Sequence, residues 1–123
     1  MPEKRYRTFE EFWPFYVSEH RNPLNRRLHF VGTTLALVSL IRFGQTGRKR
    51  YLALAPVMGY LFAWMGHFGV EKNRPATFTY PAESLLGDFK MFSLMLQGKM
   101  QAEIARLEKE HPLNQEQESR DAL

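Results

Sequence analysis

The stretch SEHRNPLNRRLHFVGT, residues 18–33, carries side chains suited to metal or anion chemistry between two apolar segments. It holds two of the four histidines, His20 and His29, together with Asn22, Asn25 and three arginines. Imidazole nitrogens are common ligands of divalent transition metals, and the asparagines could orient those rings or a ligand. A single histidine is more often a hydrogen-bonded structural residue than a ligand, so the neighbours of each one decide its role.

A second group of such side chains lies in GHFGVEKNRPA, residues 66–76. His67 and Glu71 are four residues apart, which places them on one face of a helix. If the two apolar segments form an antiparallel hairpin, the end of the second returns to the level of His29. The spacing therefore predicts that His20, His29, His67 and Glu71 converge on one metal ion. This ligand set suits non-haem Fe(II), and zinc hydrolysis is the competing interpretation.

The composition restricts the classes of function. The 123 residues contain no cysteine, which excludes disulfides and thiolate ligands. A net charge of +4 and a pI near 9.6 fit an anionic membrane surface, an acidic ligand or nucleic acid. Because the sequence lacks a recognised nucleic-acid motif and a basic face with interleaved aromatics, we expect no nucleic-acid partner.

Four helices account for most of the chain and predict an all-α fold with a central apolar helical hairpin. The predicted segments are residues 8–20, 24–43, 51–70 and 83–110. Thr8 and Glu11 form a capping-box pattern at the start of the first helix. We expect a single helical domain over residues 1–111, followed by a polar, disordered tail over residues 112–123.

The third predicted helix, Tyr51–Val70, contains no Asp, Glu, Lys or Arg. About 20 apolar residues suffice to span a bilayer, so we expect a membrane location, which in a bacterium would be the cytoplasmic membrane. The alternative is a buried core helix of a soluble bundle, which the mean hydropathy of −0.41 supports. Basic residues crowd both ends of the hairpin, so the positive-inside rule gives no orientation.

Two motifs link the chain to a known family. EHRNPLNRRLHFVGT resembles the H-x4-N-x3-H-x2-G motif of the family typified by the fungal endoplasmic-reticulum 2-hydroxy fatty acid dioxygenase. AWMGHFGVEKNRPATF is similar to its second motif, Gly-His followed by Glu and then Arg-Pro-Ala. The resemblance covers roughly residues 20–92. It implies a multi-helical membrane protein that uses Fe(II) and O2 to shorten a 2-hydroxy fatty acid by one carbon.

By this resemblance His20, His29 and His67 correspond to the motif histidines, and Glu71 to the acidic position. We expect Arg27, with Arg21 and Arg26 as the alternatives, to pair the substrate's carboxylate, because a planar guanidinium suits a bidentate partner. The neighbouring Asn25 is expected to orient a ligand. The partners implied are a lipid-like small molecule and a membrane, and the sequence does not specify the oligomeric state.

Two alternatives stay open at this point. The chain could instead be a non-catalytic, membrane-associated helical protein that binds anionic lipid or a partner protein through its basic patches. A protein of that kind needs no convergence of histidines, so the positions of the imidazole rings separate the two interpretations. Asp88 is either a second carboxylate near the metal or a solvated helix position.

Overall fold

The structure of the protein, a computed structural model, describes residues 6–110, and within this range it is all-helical with no β-strand. The predicted all-α class is confirmed. Five α-helices are interrupted by a π-helix and a 3₁₀ helix; in chain order they are α1 (Phe9–Ser18), α2 (Pro23–Thr46), α3 (Lys49–Trp64), the π-helix (Met65–Glu71), the 3₁₀ helix (Ala76–Phe78), α4 (Pro81–Leu96) and α5 (Met100–Glu110).

The chain divides into two compact units. The first contains residues 6–21 and 76–110 of the described range, and the second contains Asn22–Pro75. The expectation of one domain over residues 1–111 stays a prediction. The polar tail, residues 112–123, lies outside the described residues.

Aromatic side chains form the core of the first unit. Helix α1 begins at Phe9 because the Thr8 hydroxyl accepts a hydrogen bond from the Glu11 amide at 3.2 Å, as the sequence pattern predicts. All residues from 12 to 18 of α1 are buried, and its large side chains pack with residues of α4, α5 and the segment before α4. The core residues are Phe12, Trp13, Phe15, Tyr16, Val17, Tyr80, Met91, Met100 and Leu107. Burial of so many large rings supplies most of this unit's hydrophobic stabilisation.

The predicted fourth helix, residues 83–110, is wrong in one respect, because it is two helices. Gly98 adopts a left-handed conformation with φ of 71°, which ends α4. The backbone N–H of Gly98 donates to the carbonyl oxygen of Met95, and that of Lys99 donates to the carbonyl oxygen of Leu94. Two carbonyl oxygens in the last turn of α4 thus have hydrogen-bond donors. The apolar pattern continues across this point, so only the glycine marks the break.

An antiparallel hairpin of α2 and α3 forms the second unit, as predicted. Helix α2 begins where the Asn22 side chain accepts from the Leu24 amide at 2.9 Å, and it ends at Gly47, whose φ is 69°. Gly32 lets the two helices approach closely, since a Cβ there would lie 2.8 Å from the Cβ of Phe62. The hairpin thus returns the end of the π-helix to the level of the start of α2.

One stretch within residues 6–110, Lys49–Glu71, is long and apolar enough to cross a membrane. Only 17% of its most apolar window is buried, whereas a core helix of a soluble protein would be mostly buried. A single helix of this kind is weak evidence for a span, because core helices can pass the same test of length and composition. Membrane association is therefore weakly suggested by the fold.

Candidate metal centre

The segment that carries His67 is a π-helix rather than the end of an α-helix. Helix α3 ends at Trp64, and Met65–Glu71 continues with the wider hydrogen-bonding pattern. The prediction of one regular helix to Val70 is therefore wrong in this turn. π-Helical turns inside longer helices often occur at functional sites, where they re-aim side chains.

Gly66 brings this π-helix against the start of α2. A Cβ at residue 66 would lie 1.8 Å from the Oδ1 atom of Asn25 and 2.8 Å from its Cγ atom, so only glycine fits. Gly69, three residues later, has no atom within 4 Å of the equivalent position. Of the two glycines near His67, Gly66 is required by packing against Asn25, whereas the space beside Gly69 would accommodate a side chain.

His29 and His67 meet at the base of the hairpin, as the sequence predicts. Their ring centroids are 4.9 Å apart at an interplanar angle of 88°, and both side chains are buried. Burial is the main cause that lowers the pKa of His29 to about 3, and the nearby His67 lowers it further. The His29 imidazole is therefore neutral at physiological pH, which is the form that binds metals.

The hydrogen bonds of these two rings fix their tautomers. The Nδ1 atom of His29 lies 3.0 Å from the backbone oxygen of Asn25, and the Nδ1 atom of His67 lies 2.7 Å from the Oδ1 atom of Asn73. Carbonyl and amide oxygens only accept hydrogen bonds, so both Nδ1 atoms carry the proton. In each neutral ring the coordinating lone pair is then on Nε2.

His20, in the turn that follows α1, has the same arrangement. It is 1% exposed, and its Nδ1 atom lies 2.6 Å from the backbone oxygen of Tyr16. His20, His29 and His67 are close together, with ligand atoms that all lie within 4.8 Å of one another. Three buried imidazoles placed in this way could bind a metal ion. In each of the three rings an oxygen accepts the Nδ1 proton, which leaves the Nε2 lone pair for coordination. The three nitrogen donors therefore fit a divalent metal that prefers nitrogen ligands.

Asn73, which the sequence motifs did not single out, contacts one of the clustered histidines. Lys72 has a φ of 58°, which turns the chain back after the π-helix. The backbone N–H of Asn73 then donates to the backbone carbonyl of His67 at 2.9 Å. The side-chain oxygen of Asn73 accepts a second hydrogen bond, from the ring of His67. The available signal was an asparagine two residues after the last helical residue, a position typical of helix-terminating turns.

Glu71 stabilises the start of α2. Its Oε1 atom accepts the Asn22 backbone N–H at 2.5 Å and lies 3.4 Å from the Nδ2 atom of Asn25. A carboxylate at this position compensates the partial positive charge of a helix N-terminus. Glu71 is not one of the three residues in the histidine cluster, so its role as a metal ligand stays a prediction.

The two adjacent arginines of α2 differ in exposure. Arg26 is 5% exposed, whereas Arg27, the expected carboxylate partner, is exposed. Burial lowers the pKa of Arg26, and the negative charge of Glu71 opposes this lowering. The guanidinium still keeps its charge at neutral pH. Both residues are carboxylate-binding candidates by sequence, and only the three-dimensional structure shows which one is buried.

Asp88 is not a solvated helix position. It lies on α4, is half-buried and accepts a hydrogen bond from the Tyr16 hydroxyl at 2.5 Å. Burial raises the pKa of Asp88 to about 6, and the hydrogen bond from Tyr16 opposes that shift. Of the two alternatives for this residue, the structure excludes the solvated one.

Comparison with known proteins agrees with this geometry. No curated protein and no solved structure matches the chain. A family model described as 2-hydroxy-palmitic acid dioxygenase Mpo1-like matches residues 6–100, which include all three clustered histidines. The match extends over well more than half of the sequence, and the chain therefore belongs to the 2-hydroxy-palmitic acid dioxygenase Mpo1-like family.

Proposed function

We propose that the protein is an Fe(II)-dependent dioxygenase that shortens a 2-hydroxy fatty acid by one carbon. The observation that carries the proposal is the cluster of three buried histidines with ligand atoms within 4.8 Å of one another. The family's description, which names a 2-hydroxy-palmitic acid dioxygenase, supports the choice of substrate class.

His20, His29 and His67 would hold the ion through their Nε2 atoms, with Glu71 as the candidate fourth ligand. When bound, iron would supply Lewis acidity toward the hydroxyl and carboxylate oxygens of the substrate and electron transfer to O2. The protein's own contribution is orientation: the oxygens that accept from each Nδ1 hold the three rings in their planes.

A guanidinium of α2 pairs the substrate's carboxylate in this proposal. Arg27 is the candidate from the sequence, and its exposure would suit a substrate that enters from solvent or lipid. Arg26 is the buried alternative on the preceding position, one residue from Asn25 and three from His29. A buried guanidinium binds a carboxylate more strongly than an exposed one, because less of the attraction is screened by water.

The stoichiometry of the reaction needs no second organic substrate. A 2-hydroxy acid and O2 give the acid one carbon shorter, CO2 and water, with the bond between C1 and C2 broken. Carbons 1 and 2 lose four electrons in total, and one molecule of O2 accepts all four. The alkyl chain would lie along the apolar residues of α2 and α3, many of which are exposed.

The exposed apolar side chains of the hairpin also support a membrane location, which in a bacterium would be the cytoplasmic membrane. Several large apolar residues of α3 and the π-helix are 38–54% exposed; examples from this stretch are Leu52, Val57, Leu61, Met65 and Phe68. We expect the protein in the membrane fraction after a carbonate wash. Full recovery as a soluble protein without detergent would contradict this expectation.

The reaction itself is tested with protein reconstituted with Fe(II) and incubated in air with a long-chain 2-hydroxy fatty acid. Mass spectrometry should detect the acid one carbon shorter. The matched control is the 3-hydroxy acid of the same length, in which the hydroxyl is one carbon too far to form the same chelate, and it should give no shortened product. A protein that holds iron yet shortens no 2-hydroxy acid of any chain length would contradict the proposed reaction.

A further inference from the structure

Tyr16 contacts His20 in two ways. The two rings are stacked, with centroids 4.0 Å apart and an interplanar angle of 22°. The backbone oxygen of Tyr16 also accepts the Nδ1 proton of His20 at 2.6 Å. The ring of Tyr16 therefore fixes the plane of the imidazole, and its carbonyl fixes the tautomer. The two positions are four residues apart, with Tyr16 in the last turn of α1 and His20 in the turn that follows it, which lets the rings stack.

Asp88 and Gly87 fix the tyrosine ring in turn. The Tyr16 hydroxyl donates to the carboxylate of Asp88, and the ring itself is 1% exposed. A Cβ at Gly87 would lie 2.8 Å and 2.9 Å from two carbons of that ring, so α4 can approach it only with glycine at this position. The ring is thus held at its edge by a carboxylate and against its carbons by the α4 backbone.

The contact between Tyr16 and Asp88 costs more desolvation free energy than an apolar contact at the same place would. The half-buried carboxylate of Asp88 loses part of its hydration free energy, which one hydrogen bond does not fully restore, and the Tyr16 side chain beside it is 1% exposed. A phenylalanine at residue 16 and an apolar residue at 88 would fill a core with less desolvation.

We propose that Tyr16, anchored by its hydrogen bond to Asp88, is a positioning residue that orients His20 as a metal ligand. The inference rests on the proposed function, in which His20 binds the metal. Removal of a partner that orients a metal-bound histidine typically weakens metal binding by about 10- to 100-fold. We expect an effect of about that size here.

The test measures the affinity of the metal-free, full-length protein for Co(II) by absorption titration. Tyr16→Phe, which keeps the ring and loses the anchor, should weaken Co(II) binding about 10-fold and alter the d–d absorption bands. Asp88→Leu should do the same, and the double variant should be no worse than either single one, because both remove one interaction. Asp88→Asn retains an oxygen that accepts from the hydroxyl and should restore nearly normal affinity.

Tyr80→Phe is the matched control. Tyr80 is a buried tyrosine of the same core whose hydroxyl accepts the Tyr6 amide at 3.2 Å, so its variant also loses one hydroxyl hydrogen bond. It should lower the unfolding temperature without changing Co(II) affinity. If Tyr16→Phe behaves like this control, with normal affinity and normal absorption bands, the positioning role is refuted and the contact is structural.

A second readout separates this inference from the proposed metal site. In metal-free protein labelled with nitrogen-15, the ring nitrogens of His20 report which of them carries the proton. We expect the Nδ1-protonated form in the native chain. In Tyr16→Phe and Asp88→Leu the backbone oxygen of residue 16 is still present, but the ring that holds the imidazole in line with it is no longer anchored, so we expect a mixture of tautomers. If the native protein binds no Co(II), the metal proposal fails while this spectrum still decides the positioning role. A native-like His20 spectrum in both variants would overturn it.

Discussion

Replacing His67 by alanine is expected to weaken metal binding by at least about 100-fold, more than the loss of an outer partner would. The substitution removes one of three nitrogen donors from a cluster in which all three are buried. His29→Ala and His20→Ala should have effects of the same size. Equilibrium titration of the metal-free variants with Zn(II) gives the affinities.

His111→Ala is the control for this series, because His111 is the fourth histidine and lies outside both histidine-containing motifs of the sequence. It should bind Zn(II) as the native protein does. Circular dichroism must show native helix content in every variant that is compared. If one of the three cluster variants folds and keeps native affinity, that histidine is not a ligand.

Gly66→Ala is expected to lower the free energy of unfolding by about 3 kcal/mol, at the upper end for an overpacked core. The added methyl group would lie 1.8 Å from the Oδ1 atom and 2.8 Å from the Cγ atom of Asn25, whose side chain is fully buried, so Asn25 or the π-helix that carries His67 must shift. The variant should therefore also lose metal affinity. Thermal unfolding of the purified protein, read as the transition midpoint, measures the first effect.

Gly69→Ala provides a control in the same π-helix. Nothing lies within 4 Å of the added methyl group, and alanine favours helical backbone over glycine by up to about 1 kcal/mol. This variant should be as stable as the native protein or slightly more stable. Equal destabilisation by the two substitutions would show that the π-helix is intolerant of any side chain and that contact with Asn25 is not the cause.

The meeting of His29 and His67 was predictable from the sequence, because it depends on features that local pattern reveals. Two long charge-poor segments separated by a short turn rich in glycine give an antiparallel hairpin, and the position of each histidine along its segment then sets its level. The cap at Thr8 was predictable for the same reason, since its two partners lie three residues apart.

The tyrosine–carboxylate contact was beyond prediction, because 72 residues separate Tyr16 from Asp88 and no local period links them. The π-helix was missed because one inserted residue leaves the apolar pattern almost unchanged. The break at Gly98 was missed because the apolar positions continue in register on both sides of it. Selecting Arg26 over Arg27 as the buried guanidinium needs the orientation of α2, which adjacent positions in the sequence do not give.

The most direct test of the central claim is the metal content of the native protein. The protein is stripped of metal with a chelator, reconstituted anaerobically with Fe(II), freed of unbound ion and submitted to elemental analysis. The three-histidine cluster predicts about one iron per chain, retained through desalting. A native, folded chain with all of its histidines intact that retains no Fe(II), and no other divalent transition metal, would contradict the account.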